Sequence, residues 1–224
     1  MTRHYAARVG LPKARFSVVL VLQFVTLFWL VASDGGRDMK SLLGLTSIVI
    51  PLSAIAVATD RKRERRIAFA LAFVAVVFNG GWLSGFRPFS LEIGPGLSVL
   101  FSAYTTWILM AGVIRSPRIT GDVLAGALAS FIMAGLAFAV VYGVIEGHIP
   151  GAFATPGLEP ASFPDLAYFS FVTLLTIGFG DVTPAAPIAR AVVLSEGLFG
   201  VVFTTVVMAS LVAGYLRHRE REST

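Results

Sequence analysis

The chain has 224 residues, 56% of them hydrophobic and 14% charged, and a mean hydropathy of +0.80; soluble domains are roughly half apolar and about a quarter charged, so a soluble globular class is excluded. There is no cysteine, which removes disulfides, thiolate catalysis and zinc–thiolate sites, and His4, His148 and His218 are too scattered to read as a metal-ligand cluster. The net charge of +5 would suit nucleic acid, but its distribution along the chain makes it a signal of membrane topology instead.

A helix that crosses a bilayer needs about 20 mostly apolar residues. Six runs meet that requirement, at residues 16–33, 41–59, 67–85, 93–114, 123–145 and 188–215. Each is bounded by charge, Gly or Pro. Lys and Arg collect on the cytoplasmic side of membrane proteins. Here alternate loops carry fourteen of them on one side and three on the other, with Arg190 inside the last run. Both termini are therefore expected in the cytoplasm of a multi-pass plasma-membrane protein. The first run has a rival reading as a secretory signal, because basic residues precede it and Val31-Ala32-Ser33 follows. Its apolar stretch exceeds the ~7–15-residue core of such signals, so a retained helix is expected.

The pattern divides near Ser116-Pro117-Arg118, where Pro breaks the helical run. Residues 1–118 form a four-helix unit with short loops, and residues 119–224 a second unit. Within the second, the two runs are separated by residues 146–187, a connection long enough to be functional. Its first part, 147–160, is rich in Gly and Pro and reads as an exposed turret. Then comes an apolar, aromatic stretch at 163–175, with Pro164 and Asp165 where a helix start favours them. Such a helix is about 18 Å long at 1.5 Å per residue, too short for a hydrocarbon core of about 30 Å. It is expected to enter and return on one side, covered by protein or water.

After it stands Thr176-Ile177-Gly178-Phe179-Gly180-Asp181. A row of backbone carbonyls at fixed spacing can replace the water around a dehydrating cation. Aiming successive carbonyls one way needs unusual backbone angles, and Gly178 and Gly180 permit positive φ. Thr176 can add a hydroxyl oxygen at the inner end, and Asp181 can anchor the outer end.

This segment resembles the T-V-G-Y-G-D selectivity-filter signature of potassium channels, with Ile for Val and Phe for Tyr. It occupies the same place: outer helix, turret, pore helix, filter, inner helix. The resemblance covers residues 121–216, and the whole chain is similar to compact six-span bacterial potassium channels. It implies an all-α membrane protein, a potassium-channel pore fold preceded by a four-helix bundle, and no enzyme. It also implies potassium held at Thr176, Ile177, Gly178 and Phe179, with Gly180 completing the filter. Each chain has one such segment, whereas a ring of carbonyls needs about four, so a homotetramer in the lipid bilayer is expected. No cofactor beyond the permeant ion and no nucleic-acid partner are expected. No ligand-binding domain is read in the tail.

The family's two pore-helix aromatics fall at Tyr168 and Phe169. The hydroxyl that ties the family's filter to its neighbours is absent at Phe179, and the carboxylate that some members carry behind the filter is replaced by Val172. The expectation is a filter held more by packing than by hydrogen bonds, with a leakier channel as the alternative. Glu196, an acid inside the last run, is a functional candidate by default. It either hydrogen-bonds behind the filter near Thr173 or pairs with Arg190 at the outer water boundary. Gly200 matches a gating-hinge position, with close helix packing as the equal alternative and Gly197 as a competitor. Thr204 and Met208 share a helical face, which the resemblance makes the cavity lining.

Four helices before a pore unit resemble voltage-gated channels, whose sensor helix carries several arginines. The run at 93–114 has no Lys or Arg. Each charge crossing the field supplies about 2.3 kcal/mol per 100 mV, so only weak voltage dependence is expected. The basic stretch at 61–66 reads as a topology-fixing loop, with attraction to anionic lipid the weaker reading. Glu146, His148 and Glu159 line the turret, as external pH sensors or as residues without a role. A weakly selective cation channel is the nearest alternative function. A potassium-transporter subunit is more remote, since those chains carry four related pore segments.

Overall fold

In the computed structural model, the described residues are 15–32, 93–114, 121–156 and 160–222, with the isolated positions 66, 70 and 73. They form five helices: α1 (Arg15–Ala32), α2 (Ile93–Ile114), α3 (Gly121–His148), α4 (Phe163–Leu174) and α5 (Pro187–Glu222). Two short strands, β1 (Phe153–Ala154) and β2 (Thr183–Pro184), complete them. The expected runs at 41–59 and 67–85, the basic stretch 61–66 and Glu159 lie outside the described residues, apart from the isolated positions already named.

Among the described residues, α3 and the part of α5 at Pro187–Val207 are long and apolar enough to cross a membrane. Twenty-eight residues of α3 make about 42 Å of helix, more than a hydrocarbon core of about 30 Å requires. Asp122 sits in its first turn, the end its charge favours, and His148 in its last. Asp122 also accepts from the backbone N–H of Ser17 at 3.1 Å and from its hydroxyl at 3.0 Å. This fixes the start of α1 beside the start of α3, so the two run parallel. Gly126 lets them approach, since a Cβ there would lie 2.8 Å from the Phe16 ring. Leu30 of α1 is fully buried in one cluster with Phe101 and Leu109 of α2 and Met133 and Leu136 of α3.

α4 is twelve residues long, the length the sequence leads one to expect. Its start is a capping box: the Asp165 carboxylate accepts from the backbone N–H of Ser162 at 2.9 Å, and the Ser162 hydroxyl accepts from that of Asp165 at 3.4 Å. These bonds satisfy donors that a helix start leaves without partners. α4 packs on both α3 and α5.

The strands pair antiparallel, Phe153 with Pro184 and Ala154 with Thr183. The backbone N–H groups of Ala185 and Ala186 donate to the Ala152 carbonyl at 2.8 and 3.2 Å. The turret is thereby tied to the chain that follows the filter motif. Most of the described turret residues are exposed, as expected, with Ala152 and Phe153 the exceptions. Ala152 and Phe153 are buried, and the Phe153 ring packs on Tyr142 at 4.9 Å and Phe169 at 5.7 Å between centroids. Glu146 is a structural residue within it, buried and accepting from the N–H groups of Gly151 at 2.8 Å and Phe153 at 3.0 Å. His148 is exposed and bonds the Val144 carbonyl of its own helix at 2.8 Å.

Candidate functional site

The site begins where α4 ends. Leu175 donates to the Phe171 carbonyl at 3.0 Å, Thr176 to Thr173 at 2.9 Å and Ile177 to Val172 at 2.9 Å. The helix thus unwinds through progressively displaced bonds into a non-helical strip. Along that strip φ is positive at alternate residues: Thr176 at 55°, Gly178 at 62° and Gly180 at 80°. Alternating positive φ changes the orientation of successive peptide units, which a row of carbonyls facing one way requires. The sequence led one to expect positive φ at the two glycines but not at Thr176, which it marked for its hydroxyl. A threonine at positive φ is uncommon, because its branched Cβ crowds the backbone there.

Residues 175–181 are exposed in the single chain, Phe179 at 67%. A Cβ on Gly178 or Gly180 would meet nothing within 4 Å. The requirement for glycine at these positions is therefore conformational and not spatial. Behind the strip is a recess bordered by Val172, Thr173, Val182 and Val193.

The two pore-helix aromatics divide their contacts. The Tyr168 ring stacks on Phe179, with centroids 6.5 Å apart and planes 3° from parallel. Asp181 accepts from the backbone N–H of Val182 at 3.0 Å. The contact between the pore helix and the strip at Phe179 is one of packing. Phe169 faces the other way, buried against Tyr142 at 5.6 Å and Phe153.

Glu196 is fully buried. Its two carboxyl oxygens contact the hydroxyls of Ser170 on α4 and Tyr142 on α3. The expected hydrogen bond near Thr173 is made to Ser170, one turn earlier on α4; Ser170 and Tyr142 were not singled out in the sequence. Ser170 lies one turn before Leu174 on the α4 face that meets α5, and one sequence does not reveal which α4 face that is. The rival pairing with Arg190 is also corrected, since that guanidinium donates to the Pro184 carbonyl at 3.2 Å.

Gly200 lies within the continuous helix α5. A Cβ there would come within 2.6 Å of the Leu174 carbonyl oxygen and 3.2 Å of its Cα. Those neighbours are backbone atoms that cannot swing aside, which supplies a packing reason for this glycine. Gly197, by contrast, has open space around it. Thr204 is exposed, its hydroxyl donating within α5 to the carbonyls of Gly200 at 2.9 Å or Val201 at 3.0 Å. Met208 follows one turn on, its side chain outside the described residues.

The sequence pattern of the ion channel family matches residues 129–215, from the middle of α3 to near the end of α5, with the whole strip inside. Among curated relatives, a two pore potassium channel of rice is 34% identical over 90 residues, covering 40% of this chain and 19% of the relative. Protein LctB of Geobacillus stearothermophilus is 33% identical over 82 residues, covering 34% of this chain and 60% of the relative. A protein of Rhodopseudomonas palustris provisionally named as a potassium channel is 31% identical over 127 residues, covering 54% of this chain and 28% of the relative. The chain thus spans less than two thirds of the length of each. No solved structure matches. The matched family is one of membrane channels and not of enzymes. Residues 129–215 of this chain are thus similar to the ion channel family, and potassium channels are among its relatives.

Proposed function

We propose that the chain is one subunit of a tetrameric potassium channel, passing potassium passively down its gradient across the plasma membrane, with both termini cytoplasmic. The observation that carries this reading is the strip of alternate positive φ at Thr176, Gly178 and Gly180, presented on an exposed edge at the end of a capped helix. An ion leaving water for a low-dielectric medium without new ligands loses on the order of tens of kcal/mol. Backbone carbonyls of residues 176–179 from four chains, with the Thr176 hydroxyl, would replace its hydration shell. α3, α4 and α5 serve as outer, pore and inner helices, and the four-fold axis runs past the exposed face of the strip.

The four-helix unit at 1–118 is proposed to contribute no steep voltage sensing, because the stretch 93–114 carries no Lys or Arg. One observation favours a second reading, a weakly selective cation channel: Phe179 lacks the hydroxyl of its potassium-channel counterpart. Purified protein in liposomes decides between them. Potassium flux well above sodium flux, blocked by barium, is the expected result. Equal fluxes would favour the weakly selective channel, and the absence of any cation flux would remove both readings.

A further inference from the structure

The hydrogens around Glu196 can be counted. The Ser170 hydroxyl lies 2.8 Å from the Gly135 carbonyl oxygen and also contacts one oxygen of the Glu196 carboxyl. The Tyr142 hydroxyl contacts the other carboxyl oxygen. Serine has one O–H hydrogen, and the Gly135 carbonyl can only accept. If Ser170 donates to Gly135, the contact between Ser170 and Glu196 needs a hydrogen from the carboxyl. If Glu196 were ionised, one of the two Ser170 contacts would be a close approach of two acceptors in a fully buried place, which is costly.

Other charged groups on the packed helices whose side chains are described are engaged elsewhere. On α3, Asp122 binds Ser17 and Glu146 binds the N–H groups of Gly151 and Phe153. On α4, Asp165 binds Ser162. On α5, Arg190 binds Pro184. Among the described residues, the polar contacts of Glu196 are the hydroxyls of Ser170 and Tyr142, and no cation pairs with it to hold it as a carboxylate.

We propose that Glu196 is a protonated, neutral carboxylic acid forming a three-helix clasp. Its O–H donates to Ser170, Ser170 donates to the Gly135 carbonyl, and the remaining carboxyl oxygen accepts from Tyr142. Glu196 and Gly200 lie one turn apart on α5, as Ser170 and Leu174 do on α4, so the contact of Glu196 with Ser170 and that of Gly200 with Leu174 are successive rungs between the same two faces. Together they join segment 196–200 to the end of α4, from which the 176–180 strip emerges. Ser170, Tyr142 and Glu196 are positioning residues. Their bearing on ion passage rests on the function proposed above, with inner-helix movement beginning after Gly200; the clasp itself does not.

Infrared spectroscopy of the whole protein in detergent at neutral pH tests the clasp without any ion flux. The expected spectrum contains the C=O stretch of a buried protonated carboxyl, lost in Glu196→Gln. In Tyr142→Phe the band persists but moves to higher frequency, because the carbonyl oxygen has lost its donor. This second comparison carries the test where Glu196→Gln does not fold. Thermal unfolding should show Glu196→Ala several degrees less stable than Glu196→Gln, since an amide can reproduce both the donor and the acceptor. A wild-type spectrum without the band, or a band unmoved by Tyr142→Phe, would overturn the proposal. Expected spectra from a protein that passes no cation in liposomes would leave the clasp standing and remove the filter reading.

Discussion

Two stretches of this chain depend on glycine for opposite reasons. In the strip at 176–180, Gly178 and Gly180 have open space where a side chain would go, and only their backbone angles exclude other residues. At Gly200 the backbone is ordinary helix, and only space excludes a side chain, because Leu174 backbone atoms occupy it. The first kind of glycine shapes a surface offered to something outside the chain. The second brings two elements of the same chain into contact. A motif rich in glycine does not say which kind it holds.

The sharpest test of this contrast is Gly178→Ala. Left-handed backbone costs an L-residue about 1–2 kcal/mol, so the strip should flip its peptide units and potassium flux in liposomes should be lost. The thermal midpoint of the same protein should move little, because the new methyl meets nothing within its own chain. Gly200→Ala should behave in the reverse manner at the level of the fold. Overpacking costs about 1–3 kcal/mol, and the midpoint should fall measurably. If Gly200→Ala left the midpoint unchanged while altering only the gating of flux, the hinge reading would displace the packing one.

A smaller effect is expected at the turret. Glu146→Ala removes the acceptor of two backbone N–H groups, each worth about 1 kcal/mol. Limited proteolysis should cut faster between residues 147 and 156, with flux retained. The smallest effect is expected from Tyr168→Leu, which removes the ring stacked on Phe179. Initial potassium flux should remain, and its decline during sustained conduction should quicken. A variant indistinguishable from wild type would show that the stack does not hold the strip.

Much of this arrangement was legible in one sequence because it depends on local rules. Apolar runs with charged ends place helices, and α2 and α4 fall within a residue of the expected bounds. Ser162, Pro164 and Asp165 form a helix start that capping chemistry makes readable. The T-I-G-F-G-D motif marked the strip because two glycines at that spacing permit angles that few other residues adopt. Residues whose role depends on a distant partner were harder to read. Glu196 was visible as an acid in an apolar run, but its partners lie 26 and 54 residues away. Tyr168 was marked by family position, yet its stack on Phe179 follows from how the chain turns back after α4.

By itself, the sequence determined the apolar character of the chain, the places where its described helices start and the position of a glycine-punctuated strip. These follow from hydropathy, capping and backbone sterics, all of which act over a few residues. Only the tertiary structure decided that Glu196 meets Ser170 and Tyr142, that Arg190 turns to Pro184, that the turret folds inward on Phe153, and that Gly200 is pressed against Leu174. Those outcomes depend on the relative rotation and depth of α3, α4 and α5. Side chains dozens of residues apart set that packing together, and no local pattern encodes it.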